Sequence, residues 1–293
     1  PTSAQLVLTN GTIVEGCDKM WRGIRMAPFS YFGAFDGSEV NDAEIAVFAN
    51  NFFNGQSCEI ELQRCTFRRN FKGVSIIPAN NQQLVFTTLY MEDVSFVGTG
   101  PLKTPYTGQN PANYGARTEI GVELHRVTNT TVGGSPGTCT FNDMNFGVWA
   151  DKSFFKVREC DFLDMASSTL GGNQGTGIYA QNLGYPDIQT CNFERCTQGV
   201  SMFRTNFLIS ENNFSQLWLG MYIRESEFSF FPSVVLPTIF DNEISDVMHG
   251  IYLLNNGDAN VQVEKNIVLK VGGFGIRVTD NPNIPCRSYI VNN

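Results

Sequence analysis

The amino-acid sequence predicts an all-β chain folded as a right-handed parallel β-helix, a solenoid of about ten coils with inserted loops. Three observations predict it. One repeat register runs almost from end to end, strands of period two surround a glycine in nearly every copy, and side chains of one type recur at fixed repeat positions.

The repeat is clearest where Cys191-Asn192-Phe193 with Gly199 slides 21 residues forward onto Asn212-Asn213-Phe214 with Gly220. The same frame recurs at Cys65-Thr66-Phe67 with Gly73, Cys139-Thr140-Phe141 with Gly147, and Asn242-Glu243-Ile244 with Gly250. An earlier copy is Ser38-Glu39-Val40 with Ala46. Looser copies are Val94-Ser95-Phe96 with Gly121, Cys160-Asp161-Phe162 with Gly177, Asn266-Ile267-Val268 with Gly275, and a start at Asn292. Successive copies lie 21 to 45 residues apart, which fits one solenoid coil plus loops inserted on some coils.

Within a coil, the alternation in Gly199-Val200-Ser201-Met202 and Gly250-Ile251-Tyr252-Leu253 reads as a strand with aliphatic residues facing inward. The glycine is expected to supply the bend before that strand. A further strand precedes each marker, as in Phe207-Leu208-Ile209-Ser210 and Val261-Gln262-Val263-Glu264. Two or three short strands per coil, without helical periodicity, leave a parallel β-helix and not a sandwich.

Stacked coils lie about 4.7–4.9 Å apart, so each repeat position becomes a column of like side chains. One column is Cys65, Cys139, Cys160, Cys191, Asn212, Asn242, Asn266 and Asn292. A second is Phe67, Phe96, Phe141, Phe162, Phe193 and Phe214, continued by Ile244 and Val268. Both read as architecture, because stacked Asn side chains bond from coil to coil and stacked aromatics fill an interior. The four Cys of the first column are therefore expected to be buried free thiols. Cys196 is expected inward with Leu217 and Val247, and the disulfide state of Cys17, Cys58, Cys196 and Cys286 is left open. No Cys-x-x-Cys pair or His cluster points to zinc.

A third column, two residues after each glycine, faces outward: Arg25, Phe48, Ser75, Glu123, Trp149, Tyr179, Ser201, Tyr222, Tyr252 and Arg277. From it come the candidate ligand-binding residues Trp149, Tyr179, Tyr222, Tyr252 and Arg277, a stripe suited to sugar rings or a partner protein. The competing expectation is that insertions 98–118, 166–176 and 225–237 cover it.

Carboxylates near a base are the marks of polysaccharide-cleaving enzymes. The densest such group is Asp241, Glu243, Asp246 and His249, with Asp143, Asp161 and Asp164 on neighbouring coils. His249-Gly250 lacks the Asn-Thr-Asp, Asp-Asp and Arg-Ile-Lys elements that accompany such a pair in polygalacturonases. His125 reads as structural. Asn255-Asn256-Gly257-Asp258 and Thr279-Asp280-Asn281 are candidate structural calcium loops, without the ligand spacing of a defined loop. No cofactor or catalytic metal is expected.

Composition narrows the partners. The net charge of −8, from 20 basic and 28 acidic residues, opposes a nucleic-acid partner. Only 16% of the residues are charged and 42% are hydrophobic, which opposes disorder. The longest apolar stretch, Phe228 to Phe240, is broken by Pro232, Ser233 and Pro237, so no membrane span is expected.

Asn10-Gly11-Thr12-Ile13, Cys17-Asp18-Lys19-Met20-Trp21-Arg22-Gly23-Ile24 and Ser38 to Val47 resemble segments of secreted parallel β-helix proteins of Bacteroidetes. The resemblance implies export as type IX secretion cargo, contact with that machinery in transit, and extracellular or cell-surface placement. It implies no defined reaction.

The chain is expected to form a single β-helix domain over 1–293, as a segment of a longer polypeptide or as a unit that associates end to end, because neither end shows a helical cap. The expected function is an adhesin-like scaffold presenting the aromatic stripe and loops to glycans or surface proteins. The alternatives are a polysaccharide lyase or glycoside hydrolase, and the subunit of an end-to-end filament.

Overall fold

The computed structural model describes residues 4–50, 56–78, 85–105, 117–128, 130–134, 137–165, 175–225, 236–256, 261–279 and 289–291. All regular elements among them are strands, and every strand pair is parallel. Sheets of 12 and 10 strands run the length of a right-handed solenoid, a 7-stranded sheet joins them from Thr130–Gly133 onward, and a two-stranded sheet pairs Val85–Phe86 with Val127–Thr128. From Glu59–Arg68 onward each turn supplies one strand to each of three faces, which makes about eight full turns and not ten. The excess arose at the N-terminus. There Ile24–Met26 and Ile45–Asn50 join the second sheet, but no described strand closes a third face.

The expected registers hold residue for residue. Cys139 pairs with Cys160, Phe162 with Phe193, and Phe193 with Phe214. The Phe column is a continuous stack, with ring centroids 4.7–5.0 Å apart from Phe67 to Phe214 and each ring buried. Cys196, Leu217 and Val247 are buried as expected, together with Met165.

Asn212, Asn242 and Asn266 form the expected ladder. Asn242 Nδ2 donates to Ile209 O at 3.1 Å, Phe240 O at 3.0 Å and Asn266 Oδ1 at 2.8 Å. Its Oδ1 accepts from Asn212 N and Nδ2. Cys17, Cys58, Cys65, Cys139, Cys160, Cys191 and Cys196 are all free thiols, and only Cys17 is exposed. Cys286, Asn292 and most of the three insertions lie outside the described residues.

The glycines do something other than bend the chain. None of Gly73, Gly121, Gly147, Gly177, Gly199, Gly220 and Gly250 has a left-handed φ. A Cβ on Gly147 would lie 2.5 Å from Phe162 Cδ1 and 2.7 Å from Gly177 O. Glycine is required there because the next coil's Phe ring and backbone occupy the space. The bends fall instead mostly on polar residues at φ of about +50° at the corners. Glu211, Asp241 and Lys265 occupy the corner before the first sheet, Gln216, Asp246 and Lys270 the corner after it, and Arg126, Lys152 and Arg204 the corner after the second sheet. Such residues tolerate the left-handed region better than β-branched ones.

A buried ion cluster fastens the irregular N-terminal section. Asp42, fully buried, takes Arg69 Nε at 2.9 Å and Lys103 Nζ at 2.8 Å. Lys103 also donates to Gly16 O and Cys17 O, which ties the segment around Leu102 to the first strands.

Candidate functional site

The outward column of the second sheet is in register over its whole length. Arg25 pairs with Phe48, Phe48 with Ser75, Ser75 with Glu123, Glu123 with Trp149, and Trp149 with Tyr179. The line continues through Ser201, Tyr222 and Tyr252 to Arg277. Alternation on a strand puts these residues opposite the core-facing Val74, Val122, Val148 and Ile178.

The stripe divides into two aromatic groups. In the first, Trp149 is half-buried, its ring 6.2 Å from Tyr179 and 4.8 Å from His125, and Tyr179 packs edge-on against Phe146. Tyr179 is buried and donates from its hydroxyl to Gln181 Oε1 at 3.0 Å. In the second, Tyr222 and Tyr252 stack at 5.5 Å and Phe274 meets Tyr252 edge-on. The Arg277 guanidinium lies over the Tyr252 ring at 5.2 Å. Ser201 separates the two groups.

Beside Trp149 the face carries a polar network. Glu123 is 5% exposed, and its Oε1 accepts from Lys72 Nζ at 2.7 Å while its Oε2 accepts from Ser75 Oγ at 2.6 Å. His125 Nε2 lies 3.3 Å from the same Oε1. Burial alone would push this carboxyl up. The contacts with His125, Lys72 and Ser75, together with the lysine charge, outweigh burial and hold it down at about 2. Glu123 is therefore an anion that its neighbours neutralise.

Next to this network lies a depression of about 310 Å³, lined by His125, Arg126, Trp149, Asp151, Lys152 and Gln181. Asp151 Oδ1 accepts from Asn182 Nδ2 at 2.7 Å. One ring face, two cations, a carboxylate and an amide thus meet in a single concave surface, the usual composition of a site for a polar ligand. A smaller depression of about 220 Å³ on the third sheet, lined by Phe154, Lys156 and Tyr185 among others, lacks such convergence.

The other expected residues are placed differently. Asp241 and Asp246 are corner residues at φ 55° and 54°, where other coils carry Glu211, Lys265, Gln216 or Lys270. Asp246 faces Lys270 Nζ at 3.4 Å, and Glu243 is exposed between the two corners. His249 is sandwiched, 4.2 Å from the Phe274 ring and 5.3 Å from the Trp218 ring. Asp164 is held by Arg195 and Asp143 by Arg117, while Asp161 accepts from Asn192. These positions follow from the coil geometry.

Among the described residues no group of three or more His, Cys, Asp or Glu side chains could hold a metal ion. Gly257, Asp258, Asp280 and Asn281 of the candidate calcium loops lie outside them. No helix among the described residues is long and apolar enough to cross a membrane.

Lys72, His125, Arg126, Asp151, Lys152 and Gln181 were not singled out for the site from the sequence. His125, Asp151 and Gln181 form their own register line, two residues beyond Glu123, Trp149 and Tyr179. That line was available as a fourth outward column, but its members differ chemically, so repetition did not mark it.

No curated protein matches the chain. A solved structure aligned with it is the A-module of the mannuronan C-5 epimerase AlgE4 from Azotobacter vinelandii. The alignment has 10% identity and a TM-score of 0.25, and covers 98% of this chain and 91% of that one. The family model for the right-handed β-helix region matches residues 120–293, the part that holds the depression and every regular turn after it. With more than half its length in that match, and with parallel sheets wound as described above, the chain belongs to the right-handed β-helix family.

Proposed function

We propose that this chain is an extracellular β-helix scaffold that binds a glycan on the outward face of its second sheet, with the Trp149 depression as the main contact. The observation that carries the reading is that depression, where one half-buried indole is surrounded by Asp151, Lys152, Arg126 and Gln181. A pyranose ring has an apolar C–H face and a rim of hydroxyls. The indole suits the face, and the carboxylate, amide and cations suit the rim. Tyr222, Tyr252 and Arg277 offer a second contact further along the same face, as an extended chain would need. Adhesin-like display at a cell surface, after export, belongs to the same proposal and is supported by the resemblance of residues 10–24 and 38–47.

Retention on a panel of immobilised polysaccharides tests the reading. Trp149→Ala is expected to weaken retention about tenfold or more. Trp218→Ala, which alters an exposed ring away from the depression, is expected to leave it unchanged. Equal retention of wild type and Trp149→Ala on every polysaccharide would overturn the proposal.

A further inference from the structure

We propose that the smaller depression, on the third sheet, is a separate binding site for a free α-amino acid with a large apolar side chain, held by its two charged groups between Asp187 and Lys156.

The first observation is a pair of buried oxygens that lack partners. Thr130 and Asp187 both line this depression. Thr130 Oγ1 and Asp187 Oδ1 are buried, and neither has a hydrogen-bond partner among the described residues. Thr130 is only 1% exposed. A buried hydroxyl or carboxylate oxygen in that state is costly, and a bound group that supplies the missing hydrogen bond removes the cost. An ionised Asp187 Oδ1 can only accept, so it calls for an N–H or O–H donor.

The second observation is how Asp187 is engaged. Thr131, Lys156 and Asp187 are in register on successive coils, so Lys156 stands one strand spacing, about 4.8 Å, from Asp187. Elsewhere a basic residue on the next coil closes onto a carboxylate, as Arg195 does onto Asp164 and Lys270 onto Asp246. Here Arg158 does so instead. It donates through Nη2 to Asp187 Oδ2 and through Nη1 to Asp187 O. Lys156 is left exposed, with no side-chain hydrogen bond or ion pair among the described residues.

An unmet acceptor and an unmet cation thus lie one coil apart. A zwitterion satisfies both, its ammonium donating to Asp187 Oδ1 and its carboxylate, carried on the same carbon, accepting from Lys156. An amine alone would meet two cations, Arg158 and Lys156, against one carboxylate. A carboxylate alone would face Asp187 and leave its Oδ1 without a donor.

The third observation is the wall. Phe154, Phe155 and Tyr185 line the depression beside these groups, with Phe154 and Tyr185 in register on adjacent coils. Burial, with the Asp187 charge adding to it, pushes the Tyr185 phenol up, so that ring stays neutral. Such a wall takes an apolar side chain, aromatic ones above all. At about 220 Å³ the space falls below the roughly 300–1,000 Å³ of sites for drug-sized ligands, which suits one amino acid and not a polymer. The second lining cation and the amide that meet beside Trp149 are missing here, and the two depressions lie on different sheets.

Calorimetric titration with free L-phenylalanine tests the site, with phenylpropionate, phenethylamine and glycine as probes that each lack one of the three recognised parts. L-phenylalanine is expected to bind, and each of the other three to bind at least about tenfold more weakly. Asp187→Asn and Lys156→Ala are each expected to weaken L-phenylalanine by about tenfold or more. Lys156→Ala alters an exposed side chain and should leave the unfolding midpoint unchanged, so its loss of binding would not come from misfolding. Trp149→Ala should bind L-phenylalanine as wild type does. Absence of L-phenylalanine binding at millimolar concentration would overturn the inference and leave the two oxygens to water. Equal binding of phenethylamine or phenylpropionate, or binding indifferent to both Asp187→Asn and Lys156→Ala, would overturn it as well. None of these outcomes bears on polysaccharide retention at Trp149, so the two readings fail separately.

Discussion

Glu123 couples the outward face to stability. Its carboxyl falls from an ordinary 4.5 to about 2 in the folded chain, so its contribution is fully present above about 4.5 and is lost as the pH drops toward 2. The side chain is only 7% exposed, and a shift of this size corresponds to about 3 kcal/mol. Between pH 4.5 and 2 the unfolding free energy of wild type should therefore fall by about 3 kcal/mol more than that of Glu123→Gln. Chemical denaturation at several pH values measures the difference, and parallel curves would contradict it. This residue was legible only as one member of a column. Its partners Lys72 and His125 lie 51 residues before it and two after it, and nothing in one coil's pattern announces a contact made between coils.

At the scale of the coil element, Cys and Asn share a column because they face the same pair of backbone carbonyls. Cys160 Sγ lies 3.2 Å from Arg158 O and 3.6 Å from Val132 O and shares its one S–H between them, whereas Asn242 Nδ2 has two N–H groups for the corresponding carbonyls, two residues back and on a neighbouring coil. Burial pushes the Cys65 and Cys196 thiols up to about 12, so in the folded chain these are hydrogen-bonding core groups and not nucleophiles. Asn242→Ala would orphan several buried groups at once and should cost at least about 3 kcal/mol. Asn242→Cys should cost less, because the thiol keeps the two carbonyl contacts. Urea midpoints of the two variants decide the order, and equal losses would contradict it. This part of the fold was readable in advance because in-register parallel pairing repeats the same residue type. The glycines were placed correctly but explained wrongly, since close approach of a neighbouring ring is invisible within a single coil.

The whole molecule is a platform. Ten strands of the second sheet, at the usual strand spacing, give an outward face about 43 Å long. The chain carries a net charge of −8, yet Arg126 and Lys152 leave a local cationic spot on one edge of that face. The coil count was overestimated from the sequence for a physical reason. The Ser38 copy looks like a full coil, but its strand Glu39–Asn41 pairs with Ile13–Glu15 and with only the last three residues of Glu59–Arg68, and no described strand completes a third face around it.

The 21-residue offset between Cys191 and Asn212 makes one layer of the solenoid removable. Excision of residues 191–211 would join Thr190 to Asn212 and discard the rung that carries Ser201, while both ladders close over the gap. Trp149, Tyr179, Tyr222 and Tyr252 would then become consecutive. The shortened chain should fold cooperatively and grip a long polysaccharide more tightly, and unfolding together with retention on the same polymer would show it. The interruption at Ser201 would then act as a spacer that sets how far apart two sugar units must lie to be held at once, a dimension that insertion or loss of a coil can retune without altering a single contact residue.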